Sequence, residues 1–418
     1  MTIPFEQLEN PLMEAPADPG YDPFSDAQLD DPYGFFALAR ETAPVFYSGL
    51  IDHWVVTGRD DILSIFMAPD SYSAGNTIQP ITELSEGARR VLDEGGWGLV
   101  PALGNNDRPD HTRFRRNVGK AFTPRRVARL EPFITASAHA ALDGLRPGDD
   151  LVGAFLEDLP ARVILHLLGI PEDGVATVRE GARNRVRFIW GRLTPAEQEE
   201  LAAAMVRFWD YLRAFVDDRL AAPRDDLTSA LLAVRDGDDG VFTLDEICSV
   251  LFAFLTAGHE TTSSLLTNGV RRLLEQPGTW RALHADPDLV DGAVEEVLRF
   301  DSSVVAWRRR ALRDVTVGGV EIPSGAQVLL LLGAANHDPG TFEAPESFDI
   351  RRENASDHLS FGRGIHFCLG APLARLEART VLKVLTERLP DARLVDPQRF
   401  DFVPNIAFRA PRRLLVEW

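Results

Sequence analysis

The stretch Ser360–Gly370 reads Ser-Phe-Gly-Arg-Gly-Ile-His-Phe-Cys-Leu-Gly and contains Cys368, one of only two cysteines in 418 residues. Glycines at this density permit turns with positive φ and let a flat group approach the backbone. A helical repeat follows at once, with Leu369, Leu373 and Leu376 and then Val381, Leu382 and Leu385. Cys368 thus stands just before a helix N-terminus, where the dipole and free N–H groups favour a thiolate. A lone thiolate with glycine clearance on one side suits an axial ligand to haem iron. The common fate of a single cysteine is an inert, buried side chain. The frame Phe-x-x-Gly-x-x-x-Cys-x-Gly, from Phe361 to Gly370, decides for the ligand.

Three further constellations carry candidate chemistry. In Ala257-Gly258-His259-Glu260-Thr261-Thr262 an acid stands beside a hydroxyl within an apolar helical run. That is a costly placement unless the acid is solvated or used. The structural alternative is a threonine bonding back to the preceding turn. His111 and Arg115 lie four apart on one helix face, a spacing that can clamp a carboxylate pair, with arginine supplying a bidentate fork. Glu296 and Arg299 form an acid–base pair at i, i+3, which any surface helix can contain.

These groups need long helices to position them. Thr243-Leu244-Asp245-Glu246 is a capping box, and the apolar pattern behind it runs unbroken past Leu274. Gly258 and the adjoining hydroxyls should let this helix open locally. Helical periodicity also dominates from Leu151 to Leu220. Strands are confined to a small hairpin at 45–57 and to later stretches around 315–317, 326–332 and the tail. The fold class is therefore mainly α with a minor β region. Residues 1–30, rich in Pro, Asp and Glu, read as an extended arm. With no linker, repeat or low-complexity block beyond them, 31–418 reads as a single domain.

Composition narrows the function. With 44 basic against 63 acidic side chains the net charge is −19, which argues against general nucleic-acid binding. A basic block from Arg108 to Arg129, containing only Asp110 as an acid, is either a solvated face or a dock for an acidic partner. Two cysteines make no disulfide framework, and Cys248 falls in an apolar run, so a reducing compartment is the simpler expectation. The first residues lack a basic and apolar leader, and no apolar window is long enough to span a membrane. A monomeric cytoplasmic protein with no membrane contact is expected.

The cysteine frame resembles the haem-binding loop of the cytochrome P450 family, and the other segments match in order over essentially the whole chain. The resemblance implies haem b (iron protoporphyrin IX) held between the long central helix and the Cys368 loop. It implies propionate ligation by His111, Arg115, Arg309 (aligned on Arg-x-Ala, with Arg308 as nearest alternative) and His366. Phe361 and Gly370 shape the loop. Glu260 and Thr261 would supply protons on the distal side, and Glu296, Arg299 and Arg352 would form a buried structural network. Arg113, Arg116 and Lys120 would face the side that receives an electron donor. Trp97, Leu99, Phe254, Ala257, Val304, Val305 and Ile406 are the candidate substrate contacts, all apolar, so a small or medium hydrophobic substrate is expected. The stretches 77–80 and 188–192 are similar to the haem domains of self-sufficient bacterial members.

The resemblance implies a monooxygenase that places one oxygen atom of dioxygen into an organic substrate. With no flavin or iron–sulfur region ahead of Trp418, electrons from NAD(P)H are expected through a separate small ferredoxin and its reductase. Two rivals share the cysteine loop: a peroxide-driven peroxygenase, which needs no dioxygen-linked proton relay, and a haem-thiolate sensor, which needs no docking face.

Overall fold

The protein was analysed as a computed structural model, which describes residues 16–418. Its centre is the helix Leu244–Glu275, opened by the capping box in which the Thr243 side chain accepts from Glu246 N and the Glu246 carboxylate accepts from Thr243 N. This helix is apolar on nearly every side: Ile247, Leu251, Leu255, Leu266, Val270 and Leu273 are all buried, as in a helix through the middle of a large core they must be. Helices Asp158–Leu168, Val175–Trp190 and Pro195–Ala221 pack against one part of it, and Val290–Phe300 and Ala371–Arg388 against another.

The long helix does not open at Gly258; it is continuous α-helix throughout. A Cβ at Gly258 would lie 3.2 Å from Ile164 of Asp158–Leu168, so this glycine serves close helix–helix approach. The minor β region holds a five-stranded sheet in the order Val45–Ser48, His53–Val56, Gln327–Leu330, Trp307–Ala311, Tyr72–Ser73. The expected hairpin pairs Val45 with Val56 and Ser48 with His53. The extended-arm expectation is corrected at its end, where Asp26–Asp30 is a short helix capped by Ser25. The arm's first fifteen residues lie outside the described ones.

Two buried charge networks join these elements. Arg299 grips Glu296 through Nε and Nη2 at 2.7 and 2.8 Å, with both side chains fully buried. Arg352 Nε approaches the same carboxylate at 3.2 Å. Arg299 and Arg352 direct their remaining donors to backbone carbonyls of 336–347, which ties the helix Val290–Phe300 to the segment leading into the cysteine loop.

Asp301 was not singled out in the sequence. It is fully buried and accepts from Arg271, from Arg272 Nε at 2.8 Å and from the Tyr33 hydroxyl at 2.8 Å, with Arg409 Nε at 3.5 Å. Burial works to raise its pKa, but the three guanidiniums and the hydroxyl hold it well below the usual carboxylate range. One side chain thereby fastens an N-terminal helix, the central helix and the C-terminal tail. Asp301→Ala removes the buried carboxylate these guanidiniums share, leaving only Glu275 to Arg271 and Arg272, and should cost about 3–5 kcal/mol, read by urea unfolding followed by circular dichroism. Because the folded pKa is depressed, the contribution should be complete above the ordinary value of 3.8 and fade as the pH falls below it. A variant as stable as the parent would refute the role.

Candidate active site

In the middle of the fold two stripes remain partly accessible. Every residue from Ser360 to Gly370 is half-buried, and on the central helix Ala257 is exposed and Thr261 half-buried although Leu255, Thr256, His259 and Thr262 around them are buried. These stripes bound an internal cleft. The cysteine side takes its shape from positive φ at Gly362 (66°) and Gly364 (72°). A Cβ at Gly364 would fall 2.5 Å from the Phe66 carbonyl, so the loop can lie against Arg59–Met67 only as glycine. Cys368 N–H donates to Phe361 O at 2.9 Å, closing the turn. A Cβ on Gly370 would stand 3.8 Å from Cys368 Sγ.

Burial pushes the Cys368 thiol up, while the N–H groups of Gly370 and Ala371 and the guanidiniums of Arg115 and Arg375 pull it back without prevailing. The expected thiolate-stabilising donors are present, but the helix terminus alone does not ionise the free thiol. Ligation to a metal deprotonates such a thiol outright. Sequence reasoning missed the brace behind the loop. Arg375 lies over the Phe361 ring at 4.7 Å and forks onto Glu295 at 2.6 and 2.7 Å, with His358 Nε2 3.3 Å from the same carboxylate. Its signal was Arg375 standing two helical turns beyond Cys368, on the helix that follows the loop.

His111, Arg115, Arg309 and His366 come together. The His111 and His366 rings lie 4.2 Å apart. Burial first, then Arg309, His111 and Arg115, drive the His366 pKa down to about 3, and its Nδ1 bonds Leu103 O at 3.3 Å. Burial likewise lowers His111, whose Nε2 is buried without a partner. Arg309 is pushed down to about 10 by burial, eased only by the more distant Asp107. Its one hydrogen bond is to Arg308 O at 2.8 Å, and it stacks over Phe66 at 5.2 Å. Two guanidiniums without a paired acid and two imidazoles, one with an orphaned Nε2, fit a group carrying anionic arms, which would supply the missing counter-charge and acceptor. Arg308 points the other way along the strand, bonding Thr77 O and Gln79 O and stacking on Trp190 at 4.2 Å. The geometry thus separates the two arginines that the sequence left as alternatives.

On the central helix, Thr261 Oγ1 donates to Ala257 O at 2.6 Å. Glu260 is raised to about 7, by burial first and then by Glu157, with Arg183 opposing. His259 turns from the cleft to bond Glu157 O at 2.9 Å.

The family model described as Cytochrome P450 matches residues 188–389. The cytochrome P450 monooxygenase PikC of Streptomyces venezuelae is 35% identical over 93% of this chain and 91% of its own. The chain belongs to the cytochrome P450 family. A solved cytochrome P450, CREJ in complex with (4-ethylphenyl) dihydrogen phosphate, superposes with a TM-score of 0.92 at 38% identity, covering 96% of this chain and 99% of that one. An intact type IV self-sufficient cytochrome P450 monooxygenase gives 0.92 at 37% identity, covering 96% of this chain and 54% of its own. The protein is a P450 monooxygenase with the P450 fold, and its family cofactor is haem, which the donor set above fits.

Four expected positions are revised by the structure. Arg113 is not a free docking charge: it forks onto Glu246 at 2.6 and 2.9 Å and donates to Val241 O, because the capping-box acid has acceptor capacity to spare. Trp97 packs its ring against Trp209 and Phe252 at 5.7 and 5.6 Å, as part of the helix core. Val305 and Ile406 line a small solvent-open recess with Tyr21, Phe36 and Arg409, and no residue of the central helix or cysteine loop shares it. Phe254 meets Phe122 edge-on at 5.2 Å and stays half-buried, as do Leu99 and Val304.

Replacing Cys368 by Ser should abolish the thiolate-type carbon monoxide spectrum of the haem-loaded protein. An unchanged spectrum would remove Cys368 as the ligand.

Proposed function

We propose that this monooxygenase oxidises a small or medium hydrophobic substrate, by hydroxylation, dealkylation or epoxidation, with electrons from NAD(P)H delivered through a separate ferredoxin and reductase. The carrying observation is that Glu260, raised to about 7 by burial and Glu157, directly precedes Thr261, whose hydroxyl lies on the cleft stripe of the central helix. The bound haem supplies the oxygen-activating chemistry, which the protein directs. Cys368 would ligate its iron, and His111, Arg115, Arg309 and His366 would hold its propionates. Phe361 and Gly370 shape the ligand's side.

Thr261 commits its proton to Ala257 O, so toward the cleft its oxygen acts as an acceptor that can orient a water. Glu260 can then give a proton and regain one at ordinary pH. A peroxide-driven enzyme or a sensor would have little use for a raised carboxyl beside that hydroxyl. Ala257, Phe254, Leu99 and Val304 offer the substrate apolar surface. Among structural relatives, the ligand carried by CREJ is a compact substituted aromatic. Cys248 and Cys368 are both free, which suits a cytoplasmic setting. No helix of the described residues is long and apolar enough to cross a membrane. Two cysteines are too few for an iron–sulfur cluster within this sequence, so electrons must enter over a surface. Arg116 and Lys120, exposed and four apart on the helix that carries Arg115, are suited to an acidic ferredoxin.

Product formation with dioxygen, ferredoxin and reductase, absent with peroxide alone, is the expected outcome; turnover with peroxide alone at equal rate would favour the peroxygenase. Because the carboxyl must carry a proton to donate one, product formed per electron consumed should fall as the pH rises through about 7. Glu260→Gln should lower that coupling and flatten its pH profile, whereas a pH limb surviving in the variant would exclude Glu260 as its source. Charge reversal at Arg116 and Lys120 should slow ferredoxin-driven reduction at low salt and lose that effect at high salt. Reduction at the parent rate would place the dock elsewhere.

A further inference from the structure

Arg185 sits differently from the other arginines of its helix, Val175–Trp190. Arg179 pairs with Glu157 at 2.9 Å and Asp158 at 3.1 Å, Arg183 pairs with Glu157, and Arg187 reaches Glu197 at 3.4 Å. Arg185 has no carboxylate within ion-pair distance among the described residues. Its Nη1 donates to Thr256 Oγ1 at 2.7 Å, and that hydroxyl donates on to Phe252 O at 2.7 Å. The guanidinium lies 5.4 Å from the Phe252 ring centre, and Nε is buried with no partner.

Burial is the sole cause that lowers this guanidinium, to about 10, yet the side chain keeps partial accessibility. A group so deeply enclosed can be accessible only toward an internal space. Thr256 immediately precedes Ala257, which is exposed in the cleft, and stands five residues before Thr261, roughly 7.5 Å along the helix axis. A buried cation with an idle donor and no counter-charge is expensive to keep unless an anion arrives to meet it. Arg308, also buried without an acid and with its own Nε unpartnered, differs in spending its Nη2 on two carbonyls and its face on Trp190.

We propose that Arg185, with Thr256, is the specificity-determining group for an acidic head on the substrate. That head is an oxyanion, carboxylate or phosphate monoester, whose apolar body runs along the central helix toward Thr261. This rests on the monooxygenase reading and adds the polar end of its substrate. The head should lie at least roughly 7.5 Å from the carbon oxidised, the axial rise between Thr256 and Thr261, since the two positions also differ in direction around the helix.

The test uses the haem-loaded protein and follows the low- to high-spin shift on titration with 4-propylbenzoate, 4-propylphenyl phosphate and methyl 4-propylbenzoate. At least one acid should bind about tenfold or more tightly than the neutral ester, as a charged hydrogen-bonded contact implies, and the better acid identifies the oxyanion. Arg185→Gln should erase that preference while leaving ester affinity near the parent value, and Arg185→Lys should keep part of it. Equal binding of acids and ester, tighter binding of the ester, no shift with either acid, or a preference surviving in Arg185→Gln would each overturn the proposal. Should Arg185→Gln fail to load haem, the acid-to-ester ratio of the parent decides alone. Product from the ester in the reconstituted system, without acid preference, would leave the monooxygenase reading standing and sink only the head-group assignment.

Discussion

Buried charge must be neutralised, and the way each buried charge meets that demand sorts this protein into scaffold and site. Glu296 with Arg299 and Arg352, and Asp301 with Arg271, Arg272 and Arg409, satisfy it internally. In these clusters every arginine faces a carboxylate, although Arg271 Nε and Arg409 Nε lack a hydrogen-bond partner, and the cost of desolvation is offset by multiple charged hydrogen bonds. They hold together elements far apart in sequence: the N-terminal helix, the central helix, the segment leading to Cys368 and the tail. His111, Arg115, Arg309 and His366 leave the demand open: two guanidiniums have no carboxylate within ion-pair distance among the described residues, and His111 Nε2 is orphaned. In a chain of net charge −19 this is not explained by shortage of acids. Asp107 eases Arg309 without pairing with it, and the two imidazoles are held toward their neutral forms by burial.

The chemistry-bearing residues were legible because they are local in sequence. The cysteine frame, the acid–threonine pair, the His–Arg pair and the Glu-x-x-Arg pair each fit within about a dozen positions, and their order along the chain supplied the family. The capping box and the hairpin were read for the same reason: capping and turn chemistry act over three or four residues. What escaped was set by tertiary packing. Asp301 looks ordinary beside Phe300, since its partners come from 30 residues upstream and more than 100 downstream. Arg113 reads as a surface charge until Glu246 is seen across the helix contact. Trp97 reads as a pocket residue with equal right until Trp209 and Phe252 close around it. Periodicity says that a face is buried, not against what.

Gly258 shows how the same residue type can be assigned the wrong purpose. A glycine near a hydroxyl pair suggested a place where the helix opens, but its missing side chain instead admits Ile164 and keeps the helix whole. An unbroken helix fixes the donor–acceptor state of the site. The Thr261 hydroxyl closes an ordinary i−4 bond to Ala257 O, so toward the cleft it has lone pairs to offer and no proton. In the proposed reading the proton comes from a second group, and the neighbouring position offers one: burial first and then Glu157 raise Glu260 to about 7, where protonated and ionised forms are both present. Glu157 can exert this push while remaining itself ionised because Arg179 and Arg183 pair with it. Their guanidiniums reach Glu260 only weakly, as the opposing smaller influence of Arg183 indicates. The helix Val175–Trp190 thus bears on the central helix at two points, through the Glu157 that Arg179 and Arg183 hold ionised and through Arg185 beside Thr256.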